Sequence, residues 1–208
     1  MTTGATTTTR ARLATALLAV TLVGGLATAT APPAQAGPAA ASLAAVTAPS
    51  TQAGSAAATY YLKFDKGSNT NSSLALMKSV PGPDKVIKKY RAGSGVTKNE
   101  CAREKGWLPT KSYTIKKWHK TYNGSLIKGY AFQLNDTKCK DGRTPRTELF
   151  IHSEMTRNGG RGSTEATRWD GNGDYKSAGC IKLKPEDIKD LYKRGKAVGF
   201  PTKLVVTN

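Results

Sequence analysis

The stretch TELFIHSE, Thr147 to Glu154, alternates apolar and polar side chains over a length that suits a strand. On a pleated strand Leu149 and Ile151 point to one face, and Phe150 and His152 point to the other. Similar short runs surround it: TYYLKFD (59–65), LALMKSV (74–80), VIKKYRAG (86–93), YTIKKWHKTY (113–122), GYAFQL (129–134) and KLVVT (203–207). Each is bounded by Gly, Pro, Asn or Asp, as in PGPD (81–84) and YNGS (122–125), which is the punctuation of a mainly antiparallel sheet or sandwich. One segment departs from the pattern. In PEDIKDLYKRG (185–195), Pro185 suits the first helical position, Glu186 and Asp187 the first turn, Lys193 and Arg194 the last, and Gly195 a stop. Ile188, Leu191 and Tyr192 fall on one face of that helix. The expected architecture is mainly β, a β-sandwich with one short helix in its C-terminal region.

The start of the 208-residue chain reads differently. Arg10 and Arg12 precede the apolar stretch LATALLAVTLVGGLATA (13–29), and AQA (34–36) offers a small-residue cleavage site. Residues 1–36 are therefore expected to be a removed secretory signal, with no membrane anchor left after cleavage. Residues 37–59 are Ala, Ser, Thr and Pro without a charge, a composition that cannot bury a core and reads as a disordered linker. Residues 60–208 are the length of one domain. The expected location is secreted, extracytoplasmic or held at the cell wall, and the expected state is a monomer.

The formal net charge is +18, and losing the two leader arginines still leaves about +16. Outside a cell such a surface is attracted to anionic wall polymers. The lysines are scattered rather than grouped with aromatics in a stripe, so no nucleic-acid groove is expected.

Three cysteines cannot all pair within one exported chain. Three pairings are possible, and the loop-like, charged contexts KNECARE (98–104) and DTKCKDG (136–142) favour Cys101 with Cys139. Closing that loop stabilises a fold by about 4 kcal/mol in the chain-entropy view. Cys180 is left over, in DYKSAGCIK (174–182). Gly179 lets a substrate backbone approach closely, Lys176 and Lys182 favour thiolate, and the amides near Gly179 and Cys180 suit a developing oxyanion. A thiol of ordinary pKa, about 8.5, is only slightly ionised at neutral pH, so a base is needed. Of the two histidines, His119 lies in the lysine-rich KKWHK (116–120) and reads as a solvated surface residue. His152 ends an apolar strand on the side away from Leu149 and Ile151, where it is either a base or a strand-end histidine bonded to backbone.

FIHSE (150–154), SAGCIKL (177–183) and PEDIKDLY (185–192) together resemble the L,D-transpeptidase catalytic domain, the YkuD-type fold. That family carries a strand-end histidine, then Ser/Thr–x–Gly–Cys–hydrophobic–Arg/Asn, then a helix. GWLPTKSYTI (106–115) is similar to its Gly–x–x–Pro–Thr–x–x–Tyr strand. The resemblance implies Cys180 as nucleophile, His152 as its base, and Ser153 as the residue whose backbone holds the imidazole. It implies that Ser177 and Gly179 shape the nucleophile turn, with Lys182 and Tyr130 as substrate contacts. The substrates implied are peptidoglycan stem peptides, with no cofactor and no metal. Ala178 stands where many members have histidine, and Lys182 stands where arginine is usual. The spacing from His152 to Cys180 exceeds the common one, and the excess falls in the glycine-rich segment 157–174, which suits a lid or a substrate wall.

Rival readings differ in class. A water acceptor would make the same site an L,D-carboxypeptidase. A sortase would need a Thr–Leu–x–Thr–Cys strand, and papain-like hydrolases place cysteine before histidine. A non-catalytic basic wall-binding module would carry an inert or intermolecularly paired Cys180, whereas an enzyme is expected to show one fast-reacting thiol. DGNGDY (170–175) starts like a calcium loop, but Tyr175 and Ile181 stand where Gly and Glu are required. It reads as a turn.

Overall fold

The computed structural model describes residues 59–208. The expected signal and nearly all of the expected linker lie outside the described residues. Ten strands and one α-helix follow in order. The strands are β1 (Tyr60–Asp65), β2 (Ser72–Lys78), β3 (Lys85–Ser94), β4 (Ser112–Asn123), β5 (Lys128–Leu134), β6 (Thr137–Lys138), β7 (Pro145–Arg146), β8 (Phe150–His152), β9 (Ile181–Lys182) and β10 (Lys203–Thr207). The helix, α1, spans Pro185–Ala197.

The fold is mainly β with one helix near its C-terminal end, as the alternating runs imply. The layers are joined at both edges. Pairing runs round a closed ring in the order β1-β10-β4-β5-β8-β9-β3-β2, so no ladder edge of this ring is left open. β1 with β10 and β8 with β9 are parallel, and the other contacts of the ring are antiparallel. Alternate residues fill the interior: Leu62 and Phe64 from β1, Leu74 and Leu76 from β2, Phe132 from β5, Ile151 from β8, Ile181 from β9 and Leu204 from β10. Strands β6 and β7 form a separate hairpin between β5 and β8.

The helix starts where the sequence places it, with Pro185 at its first turn and Ile188 and Leu191 buried. It does not stop at Gly195. That glycine lies inside the helix because a Cβ there would come within 2.7 Å of the Trp118 indole. The turn out of the helix falls at Gly199, in the left-handed region at φ +83°.

Candidate active site

Cys180 and His152 are brought together by the parallel pairing of β8 and β9. The register sets Ile151 beside Ile181 and His152 beside Lys182. Ile151 and Ile181 turn into the core, so His152 and Lys182 share the opposite face, and Phe150 and Cys180 emerge on it one step earlier. All four line one groove of about 910 Å³, together with Glu154 and Ser177. The end of β4 adds Tyr122, the β4–β5 turn adds Leu126 and Ile127, and the segment 157–174 forms part of the wall through Glu165 and Ala166. That face is not a plain polar surface. Tyr122 and Ile127 pack over Ala131, Phe150 and Cys180, leaving Cys180 9% and His152 6% exposed.

The turn that carries Cys180 is cinched by its own serine. Ser177 Oγ accepts the Gly179 amide at 3.0 Å and the Gly95 amide at 2.9 Å, and donates to the Cys180 carbonyl at 2.7 Å. Ser94 Oγ donates to the Gly179 carbonyl at 3.2 Å. Because the Gly179 amide is spent on Ser177, the amide this turn has to offer an oxyanion is that of Cys180. Gly179 sits at φ +131°, and a Cβ there would stand 2.0 Å from Arg146 Nη2. Its bareness accommodates this guanidinium, rather than leaving room for a substrate backbone as the sequence suggests.

The imidazole of His152 and the thiol of Cys180 both rest neutral. His152 Nδ1 lies 3.1 Å from the Ser153 carbonyl. A carbonyl only accepts, so Nδ1 carries the proton and Nε2 presents its lone pair. Burial, then the Lys182 ammonium, pushes the imidazole down to about 3. Burial pushes the Cys180 thiol up to about 11, against the Phe150 amide and the positive charges of Lys182 and Arg146. The sulfur accepts from the Phe150 amide at 3.4 Å, and the thiol donates to the Glu148 carbonyl at 3.6 Å. No hydrogen bond joins the sulfur to the imidazole in this resting arrangement. A neutral, covered thiol of this kind is expected to label slowly with the groove empty.

The depressed imidazole has a consequence for stability. Its folded pKa, about 3, lies below the ordinary value of 6.5, so the folded state resists protonation. Its contribution is whole above pH 6.5 and is lost as pH falls towards 3. Between about pH 7 and pH 5 the unfolding free energy should drop by about 2 kcal/mol from this group alone. Chemical denaturation at the two pH values should show that drop in the wild type and lose most of it in His152→Gln.

Other expected site residues fall as follows. Ser153 supplies the carbonyl beside the imidazole, and its own hydroxyl is buried without a partner. Lys182 lines the groove but forms an ion pair with the Glu154 carboxylate, whose second oxygen is buried and unpartnered. Tyr130 is not in the groove. Its side chain packs on the core side, edge-on to Tyr192 of α1 at 5.1 Å, because its neighbour Ala131 takes the groove side of β5. Lys176 is exposed and does not act on the thiol; Arg146 takes that place. His119 is half-buried edge-on to Tyr122 rather than a solvated surface residue, with Nε2 unpartnered. Arg146, Glu148 and Glu154 are site residues that sequence reasoning misses. Their relation to Cys180 and Lys182 is made by the fold, and no local motif marks it.

Cys101 and Cys139 are joined in a disulfide with Cα atoms 5.3 Å apart, and Cys180 is free. DGNGDY folds as a single 3-10 turn (Asn172–Tyr175), whose Asp174 carboxylate accepts the Asp170 and Gly171 amides at 2.6 and 2.7 Å. No helix among the described residues is long and apolar enough to cross a membrane.

Comparison with known proteins adds the family. Three solved structures are similar at low identity. Bd1075 from Bdellovibrio bacteriovorus has 17% identity and a TM-score of 0.46, over 71% of this chain and 47% of that one. The helical cell shape determining protein Pgp2 from Campylobacter jejuni has 13% identity and a TM-score of 0.45, over 73% and 50%. A fused Zn-dependent amidase/peptidase/peptidoglycan-binding domain-containing protein from Clostridium acetobutylicum has 10% identity and a TM-score of 0.37, over 72% and 52%. The chain spans about half the length of each. No curated protein matches the chain. The profile of the L,D-transpeptidase catalytic domain matches residues 74–205, a span that holds the whole groove with Cys180 and His152. The chain belongs to the YkuD family of L,D-transpeptidase catalytic domains.

Proposed function

We propose that this protein is an exported cysteine acyltransferase that acts on peptidoglycan stem peptides by L,D-transpeptidation through a Cys180 thioester. The observation that carries the reading is the groove itself. The free thiol and an imidazole with an available Nε2 open into it from adjacent parallel strands, while the other two cysteines are bonded to each other.

The chemistry follows from neutral partners. The donor stem presents the carbonyl of its third, L-configured diamino acid to the Cys180 sulfur. As the carbon–sulfur bond forms, the thiol proton passes to His152 Nε2, and the Cys180 amide donates to the oxyanion. The intermediate collapses by breaking the carbon–nitrogen bond, and the imidazolium proton goes to the departing amine of D-Ala. A neighbouring stem's amine then attacks the thioester, gives a proton to Nε2, and expels the thiolate, which takes the proton back. The raised thiol and depressed imidazole mean that charge separation belongs to the occupied groove, where the substrate's own dipoles and the excluded water support it. Export rests on the basic and apolar leader at residues 1–36, and the exposed Lys85, Lys88 and Lys89 of β3 suit an anionic wall polymer.

Burial of Cys180 favours one alternative, a wall-binding module with an inert thiol. Mass analysis of products from a defined tetrapeptide stem separates the readings. Release of D-Ala with a cross-linked dimer supports transpeptidation. Release of D-Ala with the free tripeptide alone makes the enzyme a carboxypeptidase. Unchanged stem peptide leaves the binding module.

A further inference from the structure

We propose that Arg146 is a positioning residue for the transfer reaction: from beneath the nucleophile turn it fixes Gly179 and Cys180 in place and holds a permanent positive charge beside the sulfur. This rests on the reading of Cys180 as nucleophile.

Arg146 is 4% exposed, and among the described residues no carboxylate pairs with it. Its guanidinium donates only to backbone carbonyls. Nη1 reaches Glu100 and, at 3.3 Å, Trp107; Nη2 reaches Gly106 at 2.8 Å and Ala178 at 3.5 Å. Carbonyl dipoles satisfy the donors without cancelling the charge, so the charge stays available to the ionisable groups around it. Cys180, on the turn that Nη2 touches through the Ala178 carbonyl, is one of them, and the charge favours its thiolate. The other groups acting on Cys180 are Lys182 on β9 and Glu148 just ahead of β8, with His152 lining the same groove. Around Arg146 stand Tyr113 of β4 and Glu100, whose carboxylate is already engaged by Lys66 and Thr110. The disulfide closes the cradle from both sides. Cys101 follows the Glu100 carbonyl, and Cys139 follows β6, whose Thr137 pairs with Arg146. The fork reaches the Glu100 and Trp107 carbonyls through Nη1 and those of Gly106 and Ala178 through Nη2, a spread that the single nitrogen of an ammonium does not cover.

The test reads Cys180 directly, by its rate of alkylation with iodoacetamide between about pH 6 and 10, alongside transfer kinetics. Arg146→Met should slow alkylation about tenfold at about pH 8, because one pKa unit removes nine-tenths of the thiolate. Arg146→Lys keeps the charge, so its alkylation should stay within about threefold of wild type while kcat falls about 100-fold from a displaced turn. If Arg146→Met alkylates as fast as wild type or faster, the arginine merely packs the turn and the proposal fails. If Arg146→Lys keeps wild-type kcat, it fails as well, and this arm decides alone should Arg146→Met not fold. A Cys180→Ala protein that still forms product would defeat the nucleophile assignment instead, a separate result from any alkylation profile.

Discussion

Cys180→Ala is expected to fold normally and to release no detectable D-Ala from a tetrapeptide stem. The sulfur is the only free thiol and lines the same groove as the imidazole, so on the proposed mechanism its removal takes away the covalent route and leaves only binding. Losing the nucleophile of such a pair costs at least ~10³-fold in kcat. The structural cost is small by comparison. The side chain is short, and its contacts to the Phe150 amide and the Glu148 carbonyl, at 3.4 and 3.6 Å, are weak ones. A loss of about 1 kcal/mol in unfolding free energy is expected, seen as a small shift in Tm. A variant that unfolds would instead give the thiol a structural role.

Gly179→Ala should be nearly as damaging by a different route. At φ +131° an L side chain is strained, and its Cβ would collide with Arg146 Nη2 at 2.0 Å and crowd the Gly106 carbonyl at 3.2 Å. The turn and the guanidinium cannot both keep their places. Strain and overpacking together should cost about 2–4 kcal/mol of stability. Whatever fold remains carries Cys180 on a displaced backbone, and a shift near 1 Å is enough for about a 100-fold loss in kcat. Denaturant unfolding and D-Ala release measured on one preparation should show both effects. Gly199→Ala, at φ +83° but with nothing within 4 Å of its Cβ, separates backbone strain from the collision: it should lose some stability and keep kcat.

The strands and the start of the helix are legible in the chain because both rest on local periodicity. Alternation puts Leu149 and Ile151 opposite His152, and Pro185 with Glu186 and Asp187 marks a helix start. The helix end is not legible. Gly195 looks like a stop, but the reason for it is the indole of Trp118, which only the folded chain brings near. The same divide runs through the groove. That Cys180 and His152 each turn away from the core follows from two alternating runs, and the β8–β9 register then sets them on one face. That the thiol is covered does not, because the cover comes from Tyr122 and Ile127 around the β4–β5 turn. Arg146 is harder still. In sequence it is one basic residue among many, and its position depends on carbonyls from two distant segments, the β3–β4 loop and the turn before Cys180, converging on one guanidinium. Tyr130 departs from its expected place for the converse reason: it lies one residue from Ala131 and so faces the helix rather than the groove.

The pairing of residues 152 and 180 is open to one direct measurement. Wild-type protein is mixed with a tetrapeptide stem, quenched in acid before an acceptor amine is added, digested, and mapped by mass. A tripeptide stem held as a thioester on the peptide containing Cys180, formed far more slowly in His152→Ala, is the expected result. Acylation on any other residue, or acylation of Cys180 at an undiminished rate without His152, would contradict it.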